Sequence, residues 1–427
     1  MNVKTSPKSS SPIELPSGAV TGQPSMLGIL KDYRDFRFLC LGTVGSHASQ
    51  WILNITLAWL VLDLTDSALY VGLLGFAAGV PMVLASVPAG VILDRTNRRS
   101  VLLACQVGML VVAVALLALV LSGSATAWVL LAGMFCFGAL MALNNAGRQT
   151  IVPATVSRPA MPAAFGLTSA ATHVSRIVGP SVAGLLIGAS GVSAALIFNV
   201  AILIGAFVAT WHLSTGAGTR AGYTPKPGRI LDGFSYVRNN RLVRDLTLLA
   251  AIPMLFAFPY LQLLPVIARD TLKVGPDGLG LMLAMSGVGA IAGGLLTGRA
   301  ARIGPLGLFV LLTTIAYGGI VLVIAFSTSI WLTIPAIVTG SVTGSTFQSL
   351  NNTLFQLELD DDVRGRVTGV YMLGFGAYAL GGLPLGLLAD AYGAPFGIAA
   401  GGIVSSMLAT ALLIRSPQLR ALRKPAA

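Results

Sequence analysis

The sequence predicts an all-α integral membrane protein, with twelve transmembrane helices in two pseudo-symmetric six-helix bundles. Three observations carry that expectation. Of the 427 residues, 55% are hydrophobic and only 10% are charged, with a mean hydropathy of +0.83; a soluble domain carries about 25% charged residues. Twelve apolar runs approach or exceed the roughly 20 residues that a bilayer-crossing helix needs. The basic residues fall almost wholly on one side of those runs, as the positive-inside rule requires of a membrane protein. The 50 glycines agree, because Gly is commoner in membrane helices than in soluble ones. An ordinary cytosolic enzyme, a disordered chain and a secreted disulfide scaffold are excluded.

Residues 1–37 form a polar tail, rich in Ser and Pro and without the apolar core of a signal peptide. The first half, 38–213, holds runs at 38–62, 70–93, 100–121, 127–147, 162–189 and 193–213. A central loop, 214–245, is rich in Gly, Pro and basic residues. The second half, 246–414, holds runs at 246–267, 279–298, 305–327, 330–355, 367–389 and 394–414, and 415–427 is a tail. Of the 27 basic residues, 24 lie on the side of the two termini and the central loop. Only Arg269 and Lys273 lie opposite, and Arg176 falls inside the fifth run. This split places both termini in the cytoplasm of a multi-pass cell-membrane protein. It also accounts for the net charge of +12 without nucleic acid. Trp128 and Trp331 open the fourth and tenth runs at the outer interface, where aromatic belts form. Cys40, Cys105 and Cys136 sit in apolar runs and read as small buried hydrophobes.

The halves repeat. At an offset of 204, Gly90, Arg95 and Arg98 fall on Gly294, Arg299 and Arg302, and Pro180 falls on Pro384; Asn144-Asn145 and Asn351-Asn352 are related by 207. Transporters are often built from such duplicated units.

Polar side chains inside the runs are spaced to share faces. Thr43, His47, Gln50 and Asn54 are separated by 4, 3 and 4 residues in the first run, and Ser341, Ser345, Gln348 and Asn352 repeat that spacing in the tenth. Ser169, His173 and Arg176 lie 4 and 3 apart in the fifth, and Tyr371 and Tyr378 lie 7 apart in the eleventh. These faces either line a polar cavity that holds solute or supply hydrogen bonds between helices. Arg176 either meets an anionic group of a solute or is satisfied by carbonyls and polar side chains around it. None of the 15 acidic residues is mid-span: Asp63, Asp94 and Asp390 sit at run ends, and Glu358 follows the tenth run. His47, His173 and Glu358 are the candidate proton carriers, the histidines because they titrate near neutral pH. No Walker loop, metal-ligand cluster or GxSxG motif occurs, so neither an ATP-driven pump nor an enzyme is expected, and no cofactor or metal is implied.

Gly90-Val-Ile-Leu-Asp94-Arg95-Thr-Asn97-Arg98-Arg99 resembles the signature between the second and third helices of the major facilitator superfamily, with Asn97 where Gly is usual. The second copy has Gly298 in place of the Asp. Gly179-Pro180 with Gly184 resembles the fifth-helix motif of its antiporters. Phe36-Arg37-Phe38, Trp59-Leu60-Val61, Asn144-Asn145-Ala146-Gly147-Arg148-Gln149, Arg176-Ile-Val-Gly179-Pro180 and Arg364-Gly365-Arg366-Val367 resemble the transmembrane secretion effector branch, which includes enterobactin exporters and drug efflux permeases. The likeness spans residues 33–415.

The resemblance implies roles. Asp94 would accept bonds from the N-terminus of the eleventh helix or pair with Arg148, forming a latch anchored by Arg95, Arg98 and Arg99. Gly179 and Pro180 would let the fifth helix bend and pack closely. The implied activity is export of small amphipathic molecules (drugs, siderophores or other metabolites) by alternating access, driven by proton antiport. An importer of a nutrient or vitamin on the same fold, and a non-transporting receptor or scaffold, are the rival readings. The expected partners are a small-molecule substrate, the lipid bilayer and protons, with the chain acting as a monomer.

Overall fold

The computed structural model describes residues 26–214, 230–300, 305–359 and 361–422. Among them every regular element is helical. A short α1 (Met26–Asp32) leads into α2 (Arg34–Thr65), α3 (Ala68–Arg95), α4 (Arg98–Leu121) and α5 (Ala127–Thr155). Then comes α6 (Met161–Trp211), which carries a break at Gly191 with φ of 83°. The second half comprises α7 (Ile230–Asn239), α8 (Arg241–Phe256), α9 (Leu264–Val266), α10 (Gly275–Ala300), α11 (Leu306–Phe326), α12 (Ile330–Leu357), α13 (Asp361–Tyr392), α14 (Ala394–Arg415) and α15 (Pro417–Ala421). Among the described residues, nine helical stretches are long and apolar enough to cross a membrane. Their outward faces agree with lipid contact: Leu295 is 76% exposed and Met407 66%. Such a surface would be costly in water.

Three expected elements differ from the sequence reading. The fourth run continues past 147 to Thr155, so Arg148 lies inside a helix and not in a loop. The fifth and sixth runs are joined, and the positive φ that a Cβ would strain is supplied by Gly191. The seventh run is not one helix. After α8 the chain passes through a 3₁₀ turn (Phe258–Gln262), α9 and a π turn (Ile267–Thr271). Pro253, Pro259 and Pro265 explain this, since each lacks the N–H that an α-helix needs.

The two halves use matching helix partners. α3 packs on α5 as α10 packs on α12, and α4 packs on α6 as α11 packs on α14. Matched polar contacts support the repeat. Arg148 donates to the Leu39 carbonyl at 3.1 Å and Asn351 to the Leu246 carbonyl at 3.2 Å, with donor and acceptor separated by similar intervals in each half. Asp35, at the start of α2, accepts from the Ser214 hydroxyl after α6; Asp245, near the start of α8, accepts from Ser416 after α14 at 2.5 Å. Between the halves the chief contacts are α3 with α13 and α6 with α10. Small residues make both crossings close. A Cβ on Gly184 would lie 2.5 Å from Gly280 Cα, and one on Gly386 would lie 3.0 Å from the Ala68 carbonyl oxygen.

Candidate functional site

The α2 stripe divides according to the side each residue faces. Thr43 is buried inside the first half, where its hydroxyl bonds the Leu39 carbonyl at 2.8 Å. His47, Gln50 and Asn54 remain half-buried, and Gln50 reaches Met82 Sδ at 3.7 Å. On α12, Gln348 is half-buried with its amide 3.9 Å from Met254 Sδ, Ser341 pairs with Ser286 of α10 at 2.8 Å, and Asn352 is exposed.

Tyr371 departs from the expected cavity lining. It is fully buried, stacked on Phe355 at 4.0 Å, and takes a bond from Asn351 at 3.0 Å, so it serves the core of the second half. Tyr378, two turns further, is half-buried, and its carbonyl accepts from Gln262 at 3.2 Å.

Arg176 sits midway along the first segment of α6. Its guanidinium lies 5.4 Å from the centre of the Trp51 ring, a cation–π arrangement across α6 and α2. Tyr260, Tyr317 and Tyr378 of the second half fall within coulombic range of it. Tyr317 stacks on Phe258 at 4.6 Å and lies 6.5 Å from Tyr260, so two turns of broken helix and α11 build one aromatic wall. Gly179 brings α6 against α2: a Cβ there would meet Trp51 Cβ at 2.9 Å and the Ala48 carbonyl at 3.1 Å. The helix keeps its regular dihedrals through Gly179-Pro180; the break is at Gly191. The side chain of His173 lies outside the described residues.

Arg148 occupies a different place from the expected latch. It is buried within the first half, and all five of its N–H groups find neutral acceptors. Nε donates to Asn144 at 2.8 Å, Nη1 to the Leu39 carbonyl at 3.1 Å and Thr43 at 3.4 Å, and Nη2 to Ser46 at 3.2 Å and Thr210 at 3.3 Å. Gly42 makes the room, since a Cβ there would stand 2.8 Å from Nη1. Gln106 extends the network to Ser46 at 3.4 Å and the Ala206 carbonyl at 3.2 Å. Asn199 and Ser49 bond each other's groups nearby. Sequence reasoning missed Gln106, Asn199 and Thr210; each is a polar residue within an apolar run, but no shared spacing marked them.

Of the remaining latch residues, Gly90, Asp94 and Arg95 lie outside the described residues as regards their surroundings. Arg98 bonds the Thr150 carbonyl at 3.1 Å, and Arg99 bonds the Trp211 carbonyl at 2.7 Å while lying over that ring. Both tie the start of α4 to neighbours in the same half. Glu358 ends α12 as its C-terminal cap, half-buried and away from mid-span.

At the opposite end of the bundle the halves are clasped. Asp390 of α13 accepts from the Ser67 hydroxyl at 2.5 Å and the Leu69 amide at 3.1 Å, and so caps the N-terminus of α3 from across the seam. A carboxylate is favoured there by the free amides and the helix dipole. Arg269 bonds the Leu62 carbonyl at 2.9 Å, pairs with Asp66, lies 3.7 Å from Asp63 and bonds Asp270 at 2.7 Å. Sequence reading saw these acids as run ends and not as a clasp, because their partners lie more than 200 residues away in the chain.

Residues 31–426 match the transmembrane secretion effector family of the major facilitator superfamily. The chain belongs to that family. Among relatives of this family member, the staphyloferrin A transporter of Staphylococcus aureus is 24% identical over 81% of this chain and 87% of its own. The multidrug efflux pump Tap of Mycobacterium tuberculosis is 28% identical over 91% and 93%, and the enterobactin exporter EntS of Escherichia coli is 26% identical over 84% and 87%. A crystal structure of the nucleoside transporter NupG superposes with a TM-score of 0.74 at 12% identity, covering 89% of this chain and 99% of that one. A bacterial homologue of the lysosomal transporter Spinster, inward-facing and unoccupied, gives 0.72 at 14% identity, covering 92% and 98%. The family member shares the fold of these transporters and is a multi-pass membrane transporter.

Proposed function

We propose that the chain exports small amphipathic molecules across the cell membrane by alternating access, with proton antiport as the energy source. In this reading twelve helices form two six-helix bundles, 38–213 and 246–414, joined by the cytoplasmic segment 214–245, with the tails 1–37 and 415–427 also cytoplasmic. The observation that carries it is Arg176: a first-half cation at mid-depth, within coulombic range of three second-half tyrosines. A charged group so placed is costly in lipid and belongs to a solute path. The half-buried faces of α2 and α12 would complete the lining with His47, Gln50, Asn54 and Gln348.

The clasp at the Asp66 end supports a cycle in which one end of the seam is shut while the other is open. With the basic end cytoplasmic, the clasped state is the inward-facing one. Asp94 would do at the cytoplasmic end what Asp390 does at the outer end: cap the N-terminus of the partner helix of the same α3–α13 pair. His47, His173 and Glu358 are the residues to test as proton carriers. Relatives named for siderophore export and drug efflux support this cargo class.

The test is accumulation of candidate compounds in inverted membrane vesicles. Uptake that needs an imposed pH gradient and is lost in Asp94→Asn, with normal amounts of protein in the membrane, is the expected result. Uptake that survives an uncoupler rules out antiport, and uptake only into right-side-out vesicles makes the protein an importer.

A further inference from the structure

We infer that the cargo meets the protein through an anionic group bound by Arg176, so that the substrate class is aromatic organic anions and not the cationic amphiphiles that many efflux pumps carry. This deepens the transport reading and rests on it. Arg176 lies about 15 residues from either end of the first segment of α6, which at 1.5 Å per residue is roughly 22 Å from both ends. The acidic residues of the described helices lie within about one turn of a helix end. Asp63, Asp66, Asp270 and Asp390 at one end are engaged around Arg269 and the start of α3. Asp35 and Asp245 at the other end bond serines. Among the described residues no carboxylate pairs with Arg176.

The contrast with Arg148 sharpens this. That guanidinium is also without a counter-charge, yet all five of its N–H groups are matched by neutral oxygens. Among the described residues Arg176 has the Trp51 face and no hydrogen bond or ion pair. Its N–H edge is left for a partner, while its planar face is fixed. A bidentate acceptor such as a carboxylate suits that edge. The partner would lie between Trp51 and the half-buried Tyr378, with the buried Tyr260 and Tyr317 behind them, and these rings favour an aromatic body.

Three probes of one shape separate charge from hydrophobicity: 1-naphthoate (anionic), 1-naphthamide (neutral) and 1-naphthylmethylammonium (cationic). Binding to the purified full-length chain is measured by calorimetry, with thermal unfolding as the check on folding. The expected result is that 1-naphthoate binds at least about tenfold more tightly than either analogue. Arg176→Gln should abolish that preference and Arg176→Lys should keep most of it. Equal affinity for the three probes, no naphthoate binding, or an anion preference that survives Arg176→Gln would each overturn the inference. Flux of the same probes into proteoliposomes keeps the two readings apart. If the neutral or cationic probe is carried while naphthoate is not bound, transport stands and the anion site falls. If naphthoate binds through Arg176 but no probe is carried, the site stands and transport falls.

Discussion

The two halves of the chain share a frame and differ in chemistry. In the first half Arg148 ties α5 to the Leu39 carbonyl of α2. In the second half Asn351 ties α12 to the Leu246 carbonyl of α8, and adds a bond to Tyr371. The matching carbonyl is reached in both halves, but from different positions: Asn351 is the counterpart of Asn144, and Phe355 stands where the first half has Arg148 with its five bonds. Both mid-bundle cations, Arg148 and Arg176, belong to the first half. The second half answers with Tyr260, Tyr317 and Tyr378. Of the two cations only Arg176 faces the seam; Arg148 is buried within the first half.

Breaking the matched ties tests this comparison. Arg148→Met should be the most damaging single change. It removes five interhelical or local bonds worth about 0.6–1 kcal/mol each in a bilayer and strands the oxygens that accepted them, so the purified variant should lose about 3 kcal/mol or more in unfolding experiments. Asn351→Leu should cost less, about 1–2 kcal/mol, since two bonds are lost and the Phe355–Tyr371 stack stays. Equal losses would mean that the two ties do the same work and that the cation is incidental.

The helix-start acids refine the same point. Asp245 is 5% exposed, whereas Asp35 is half-buried. Asp245→Ala should therefore destabilise the fold more than Asp35→Ala, the first by about 1–2 kcal/mol of unfolding free energy and the second by under about 1 kcal/mol. The smallest effect on stability is expected at the clasp, where Arg269→Gln removes partly exposed ion pairs worth about 0–1 kcal/mol. Its consequence should appear in the balance of conformations and not in unfolding.

Much of the frame was readable in sequence because it is written in composition and period. Apolar runs marked membrane-length helices, and the offset of 204 to 207 agrees with the matched helix contacts of the two halves. Arg176 was readable as a charge out of place. What escaped depends on which way a polar residue turns. Thr43 shares the α2 spacing with His47 and Gln50 yet turns into the first half, because Arg148 draws it there. Tyr371 and Tyr378 share a spacing yet one packs in the core and the other stays half-buried. The seventh span was read as continuous although three prolines lie within it, since a 22-residue apolar window does not register how the backbone is satisfied. The clasp of Asp390 on the start of α3 joins residues 323 apart and has no local signature.

The central claim is that the α3–α13 pair closes the seam at one end while freeing the other. Spin-label distances read it directly. In a background lacking Cys40, Cys105 and Cys136, one pair of labels at exposed Leu64 and Tyr392 reports the clasped end, and a second pair at Ser100 and Leu357 reports the basic end. Asp390→Asn removes the carboxylate that caps α3. This variant should lengthen the Leu64–Tyr392 distance distribution and shorten the Ser100–Leu357 one, in the same molecules and to a matching extent. If Asp390→Asn leaves both distributions as in the unmodified chain, or widens one end without narrowing the other, the account is contradicted.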